Sequence, residues 1–163
     1  KEVVKTIKKI RKNDNIKALV LRVNSPGGSA DASEQIWHAI ENVKADSIPV
    51  VVSMGDYAAS GGYYISCGAD YIYAEPTTIT GSIGIFGTIP SIAKLREKIG
   101  LDIDGITTNK HSGLASNIPY KAMTAEETQL MQSMVERGYE LFTTRCADGR
   151  GVSQEYIKSV GEG

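Results

Sequence analysis

The chain has 163 residues, 41% of them hydrophobic and 23% charged, and a formal net charge of -1. That is ordinary composition for one globular domain spanning residues 1–163 with a sizeable core, and it excludes disordered and fibrous classes. The near-zero charge also removes the electrostatic case for a nucleic-acid partner.

The first predicted element is a helix over residues 1–12. Lys1, Lys5, Lys8, Lys9, Arg11 and Lys12 make it basic, while Val3, Val4, Ile7 and Ile10 give it an apolar face, the pattern of a solvated helix packed on a sheet. Ala18-Leu19-Val20-Leu21-Arg22-Val23 then reads as a buried strand. It runs into Asn24-Ser25-Pro26-Gly27-Gly28-Ser29, after which Ala32, Ile36, Ile40 and Val43 recur at helical spacing. Gly27 and Gly28 can present backbone N–H groups with no Cβ in the way, and Pro26 fixes the start of the loop. The loop reads either as part of an oxyanion hole or as an ordinary turn. Neither G-x-x-x-x-G-K-[ST] nor G-x-G-x-x-G is present, which disfavours a phosphate cradle.

A second strand-loop-helix unit follows. Pro49-Val50-Val51-Val52 is β-branched and apolar, and it leads to Gly55-Asp56-Tyr57-Ala58-Ala59-Ser60-Gly61-Gly62-Tyr63-Tyr64. Ala58, Ala59, Gly61 and Gly62 leave little bulk around Ser60. A helix beginning there aims unpaired N–H groups at its hydroxyl, a good setting for developing negative charge. In α/β sheets, loops at the carboxyl ends of adjacent strands face one crevice, so the two glycine loops can meet across a single site.

Downstream, residues 70–74 read as a strand. Thr80-Gly81-Ser82-Ile83-Gly84-Ile85-Phe86-Gly87 is extended and bulge-prone, and on its own reads as an internal bend ahead of a wall for a peptide strand. Residues 91–99 suggest a short helix, 103–107 a short strand and 109–120 an exposed loop. Thr124-Ala125-Glu126-Glu127 is a capping-box start for a long helix to about residue 147, ended by Gly149 and Gly151, with one more short helix over 153–160. Cys67 and Cys146 fall in separate predicted helices and fit no metal spacing; buried thiols are the expectation, with a disulfide left open. No membrane-spanning run or signal-peptide pattern is found, and the ends read as those of a piece cut from a larger protein.

Three motifs in this order, Asn24-Ser25-Pro26-Gly27-Gly28-Ser29, Ala58 to Ser66 and Thr80 to Gly87, closely resemble the signal peptide peptidase A family, also called protease IV, over nearly the whole chain. The resemblance implies an α/β fold of the Clp-protease/crotonase type and a membrane-associated serine peptidase of the bacterial cell envelope, acting outside the cytoplasm on cleaved signal peptides. It implies a Ser-Lys dyad with no metal and no cofactor. Carried over by residue, it makes Ser60 the nucleophile, Gly61 and Gly28 the oxyanion N–H donors, and Gly27, Gly81, Ser82, Ile83 and Gly84 the substrate groove, in place of a mere bend.

A serine hydroxyl needs a neighbour to take its proton, and a lysine can do so only where burial or nearby positive charge lowers its pKa. In short family members that lysine lies in the loop after the strand expected at 103–107; an ungapped match puts Ser112 there, with Lys110 two residues early. Long members carry two tandem copies of the fold, the lysine in the first and the serine in the second. The chain resembles the second copy, so the base is expected from an upstream domain, with Lys110 as runner-up. His111 adjoins Lys110 and His38 lies on a helix, but no aspartate is placed by motif to orient either. Membrane attachment is expected only through an upstream segment, and homo-oligomers are expected of the full protein. Two other functions fit the fold: a crotonase-type acyl-CoA hydratase or isomerase, and a non-catalytic assembly domain.

Overall fold

A computed structural model of the chain describes residues 1–106, 108–115 and 121–161. The residues group into two compact units, Lys1–Ile85 with Gly138–Gly163, and Phe86–Arg137.

The larger unit is built on a parallel sheet. Strand β1, Leu19–Ser25, pairs with β2, Val50–Ala59; β2 pairs along its first half with β3, Tyr71–Tyr73, and at its far end with β4, Ile79–Gly81. Alternation places Leu19 and Val23 of β1 and Val50, Val52 and Met54 of β2 on one face. There they pack with Ile7 of helix α1, Glu2–Ile10, and with Ala39, Ile40 and Val43 of helix α2, Ala30–Ala45. Ser29 caps α2 by accepting the Ala32 N–H at 3.3 Å, so the helix starts directly after the first glycine loop.

Between Val23 and Ser25 the β1–β2 register slips. The Asn24 side chain fills the irregularity: its Oδ1 accepts the Tyr57 N–H at 3.0 Å, and Gly55 leaves room for it, since a Cβ there would lie 2.9 Å from Asn24 Cγ. The slip carries β2 on to Ala59, well beyond the expected Val50–Val52 core, and so sets where Ser60 leaves the sheet.

After Ser60 comes helix α3, Gly61–Tyr64, a single turn followed by further turns that hold Cys67 outside any helix. Cys67 and Cys146 are free and fully buried, in a second cluster with Tyr64, Ile83, Phe142, Ala147 and Ile157. The Cys67 thiol beside it, together with burial, pushes the Cys146 thiol far above its ordinary value.

The unit Phe86–Arg137 holds helix α4, Ala93–Lys98, a 3-10 turn at Ser112–Ala115 and the start of helix α5, Ala125–Arg150. The capping box forms as expected: Thr124 Oγ1 accepts the Glu127 N–H at 3.2 Å and Glu127 Oε2 accepts the Thr124 N–H at 2.8 Å. The expected strand at 103–107 does not form over 103–106, and Thr107 lies outside the described residues. Asp104 turns its side chain onto the Gly105 N–H at 2.8 Å, a local bond that competes with extended pairing. Of the expected loop at 109–120, residues 116–120 also lie outside the described set.

Gly149 does not stop α5. It sits inside the helix because a Cβ there would lie 2.4 Å from the Cys67 carbonyl oxygen, so it serves close packing; the chain turns at Gly151, at φ 64°. Helix α6, Gln154–Gly161, follows and buries Ile157.

Candidate active site

The two glycine loops meet at Ser60. Ser60 has φ 50° and ψ -121°, a backbone conformation costly for a residue with a Cβ, and it stands between the end of β2 and the start of α3. Its N–H donates to the Gly81 carbonyl at 2.9 Å, which ties the turn to the end of β4. Its carbonyl accepts the Tyr64 N–H at 2.9 Å, closing the first turn of α3.

Gly27 approaches Ser60 so closely that a Cβ at Gly27 would stand 2.7 Å from Ser60 Cβ, 3.1 Å from Ser60 Oγ and 3.1 Å from Gly61 N. Its φ of 118° is also one that L-residues rarely adopt, so two separate constraints demand glycine there. Gly61 faces back: a Cβ on it would meet Ser33 Oγ at 2.6 Å, Gly28 N at 3.3 Å and Gly27 Cα at 3.5 Å. Gly62 rests on the Ser25 carbonyl, 2.5 Å from where its Cβ would be. Backbone therefore packs on backbone, bringing Ser60 together with Gly27, Gly28 and Gly61. Ser25 Oγ accepts the Gly27 N–H at 3.2 Å and braces the loop, and Gly28 itself is exposed with open space around its Cα.

The remaining groove candidates separate. Gly81 joins Ser60 directly, Ser82 is exposed at φ 48°, and Gly84 is half-buried. Ile83 turns inward, 6% exposed, against Tyr64 and Phe142, so its side chain belongs to the core and only its main chain is left for a substrate. Thr80 Oγ1 donates to the Ala58 carbonyl at 2.9 Å, pinning β4 to the strand that delivers the serine.

Lys110 is set in water. Its side chain is 72% exposed and its ammonium donates to Glu126, whose second oxygen lies 3.1 Å from His111 Nε2. Lys110 first, with His111 adding to it, holds the Glu126 carboxyl below its usual range. Ser112 Oγ donates to the Asn109 carbonyl at 3.2 Å, and His38 is exposed on α2. Among the described residues no group of three or more His, Cys, Asp and Glu could hold a metal ion.

Sequence reasoning missed three positions. Asn24 stitches the strand irregularity, Ser33 covers Gly61, and Glu34, half-buried on α2, accepts from the Tyr64 hydroxyl and from Arg145 Nη2, the latter at 3.0 Å. For Ser33 and Glu34 the available signal was the placement of polar residues on a helix face otherwise read from its apolar positions.

Comparison with known proteins bears on the family and the fold. The model described as peptidase family S49 matches residues 42–163, and the model described as Clp protease matches residues 1–79. The chain is 47% identical over 157 residues to Protease 4 of Salmonella typhi, covering 96% of this chain and 25% of that protein. It is 37% identical over 164 residues to the chloroplastic serine protease SPPA of Arabidopsis thaliana, covering 99% and 24%. It is also 34% identical over 158 residues to a putative signal peptide peptidase SppA of Enterococcus faecium, covering 96% and 45%. The chain thus spans about a quarter of the length of the first two relatives. The solved ClpP1 N165D mutant from Listeria monocytogenes has the same fold, with a TM-score of 0.55 at 17% identity over 97% of this chain and 68% of that one.

Proposed function

Because the chain belongs to peptidase family S49, we propose that it is the nucleophile-bearing part of a serine peptidase whose base lies in another part of the full protein. Ser60 Oγ attacks the carbonyl carbon of a bound peptide while its proton passes to a neutral lysine amine. The carbonyl oxygen takes up the negative charge and accepts from the N–H groups of Gly28 and Gly61. The same lysine returns the proton to the leaving nitrogen as the C–N bond breaks. Water then attacks the acyl-serine, giving its proton to the amine, which passes it to Ser60 Oγ as the ester C–O bond breaks.

The observation that carries this reading is the convergence of Gly27, Gly28 and Gly61 on a serine held at a costly backbone conformation. Strained backbone persists where the surroundings over-determine it, and here Gly27 and Gly61 pack closely at Ser60 while the Gly81 carbonyl holds its N–H. A base elsewhere is favoured by Lys110, whose solvent exposure and pairing with Glu126 are the opposite of the burial a neutral amine needs. On this reading Ser60→Ala abolishes peptidase turnover in the full-length protein, and a serine-directed fluorophosphonate modifies Ser60; normal turnover by the variant would contradict it.

Substrates are apolar peptides, cleaved signal peptides among them, laid along the main chain of residues 81–84. The short strand β4, paired with the end of β2, leads into these residues, and the relatives' names fit such a substrate. The site is in the bacterial cell envelope, with membrane attachment through upstream sequence; no helix among the described residues is long and apolar enough to cross a membrane. The full protein self-associates through Phe86–Arg137, where Phe86 is 90% and Ile106 100% exposed. Solution mass measured by light scattering checks that assembly. Acyl-CoA chemistry on the same oxyanion site has no feature in its favour beyond the fold.

A further inference from the structure

The two proposed oxyanion donors belong to different segments: the Gly28 N–H lies in the loop just before the Ser29 cap of α2, and the Gly61 N–H at the start of a single-turn helix. Neither segment fixes their separation alone. A slight rotation of α2 against α3 would part the two N–H groups, since the approach is close there: a Cβ on Gly61 would stand 2.6 Å from Ser33 Oγ and 3.3 Å from Gly28 N.

One carboxylate spans this joint. Glu34 follows Ser33 on α2; its Oε2 accepts from the Tyr64 hydroxyl and its Oε1 accepts from Arg145 Nη2 at 3.0 Å. Tyr64 is the residue whose N–H holds the Ser60 carbonyl at 2.9 Å. Arg145, from α5, lies with its guanidinium 3.8 Å over the Trp37 ring, and Trp37 stands one helical turn beyond Glu34. The Tyr64 ring leans on Phe142, centroids 4.8 Å apart, one turn before Arg145. Burial, and then the Glu34 carboxylate, hold the Tyr64 phenol above its ordinary value, so it remains a donor.

We propose that Glu34 is the positioning residue of the oxyanion hole: by binding Tyr64 and Arg145 at once it fixes α2 against α3 and so sets the spacing of the Gly28 and Gly61 N–H groups. This rests on the reading of Ser60 as nucleophile. The donors act on charge present only in the transition state, so loosening them lowers kcat and leaves substrate binding in place. A carboxylate that merely stabilised the fold would move Tm and leave kcat per folded molecule alone.

The test uses the full-length protein with Glu34→Gln, whose amide cannot accept at both positions, and Tyr64→Phe, which removes a single oxygen and is the gentler change. Each variant is expected to lose about ten- to a hundredfold in kcat on a peptide substrate, with KM within about twofold, since an ångström of misplacement costs on that order. Fluorophosphonate labelling of Ser60 slows by the same factor, and the double variant falls no further than the worse single one. Wild-type kcat in folded Tyr64→Phe and Glu34→Gln, or a loss confined to KM or to Tm, overturns the proposal. Ser60→Ala run in parallel separates the two claims. Turnover retained there removes the nucleophile reading, whereas an inert Ser60→Ala beside fully active Glu34→Gln and Tyr64→Phe removes the positioning role alone.

Discussion

The turn at Ser60 and the loop at Lys110 are built to opposite physical specifications. Around Ser60 the chain removes side chains, packs main chain on main chain and holds a serine at φ 50°. Around Lys110 it places an exposed ammonium and carboxylate together, with the half-buried His111 imidazole beside them. The first arrangement is expensive to fold and has no structural return of its own, whereas the second is what any hydrophilic surface loop forms. On the proposed reading, the first is the setting of a nucleophile and its oxyanion donors, whereas Lys110, exposed and paired with Glu126, has no comparable setting for a base.

Breaking the serine side of the contrast has the largest expected effect. Ser60→Ala in the full-length protein lowers peptidase kcat by about 10⁴-fold or more, the scale on which removal of a catalytic nucleophile acts. Gly27→Ala comes next, because its Cβ collides with Ser60 and its φ of 118° is unsuited to alanine. We expect a stability loss of about 2–4 kcal/mol by urea unfolding, from strain and overpacking together, with loss of Ser60 labelling. The lysine side sharpens the contrast by its silence: Lys110→Met leaves kcat within about threefold, the scale of a solvated surface change. A tenfold loss would bring Lys110 back as the base.

Smaller effects probe the frame. Asn24→Ala removes the bond to the exposed Tyr57 N–H and is expected to cost about 0.5–1.5 kcal/mol, read from the urea midpoint. In acid, the Asp46, Glu126, Glu127 and Glu140 carboxyls are all held below their usual range, by Arg11, by Lys110, by the Thr124 N–H and by Lys158 respectively. A carboxyl depressed in the folded state gives stability that is present above its unfolded pKa and is lost as pH falls through the folded one. The urea midpoint should therefore hold from pH 7 to about 5 and decline below about 4.5, near the ordinary carboxyl range. A midpoint unchanged down to pH 3 would contradict those pairings.

The same contrast marks what could be read from sequence. Strand cores at Leu19 and Val50, the Thr124 cap and the two glycine loops are legible because each follows from local chemistry: β-branched runs, a hydroxyl before a helix, glycines between elements. The meeting of Gly27 with Ser60 needed only the rule that neighbouring strand ends share a crevice. The reach of β2 to Ala59 was hidden because it depends on Asn24, a residue of another strand. Gly149 reads as a stop because glycine ends helices locally, while in the structure the Cys67 carbonyl lies where its side chain would be. Ile103 and Ile106 suggested a strand by composition alone, yet extended pairing requires a partner and Asp104 had a nearer one. Glu34 is a tertiary fact throughout, with partners on α3 and α5.

The most direct test of the central claim is the rate at which a fluorophosphonate modifies Ser60, located by peptide mass mapping, in the full-length protein and in residues 1–163 alone. The account predicts rapid modification at Ser60 in the full-length protein and very slow modification of the isolated chain, whose nucleophile lacks its base. Rapid modification of the isolated chain, or modification of the full-length protein at a different serine, would contradict it.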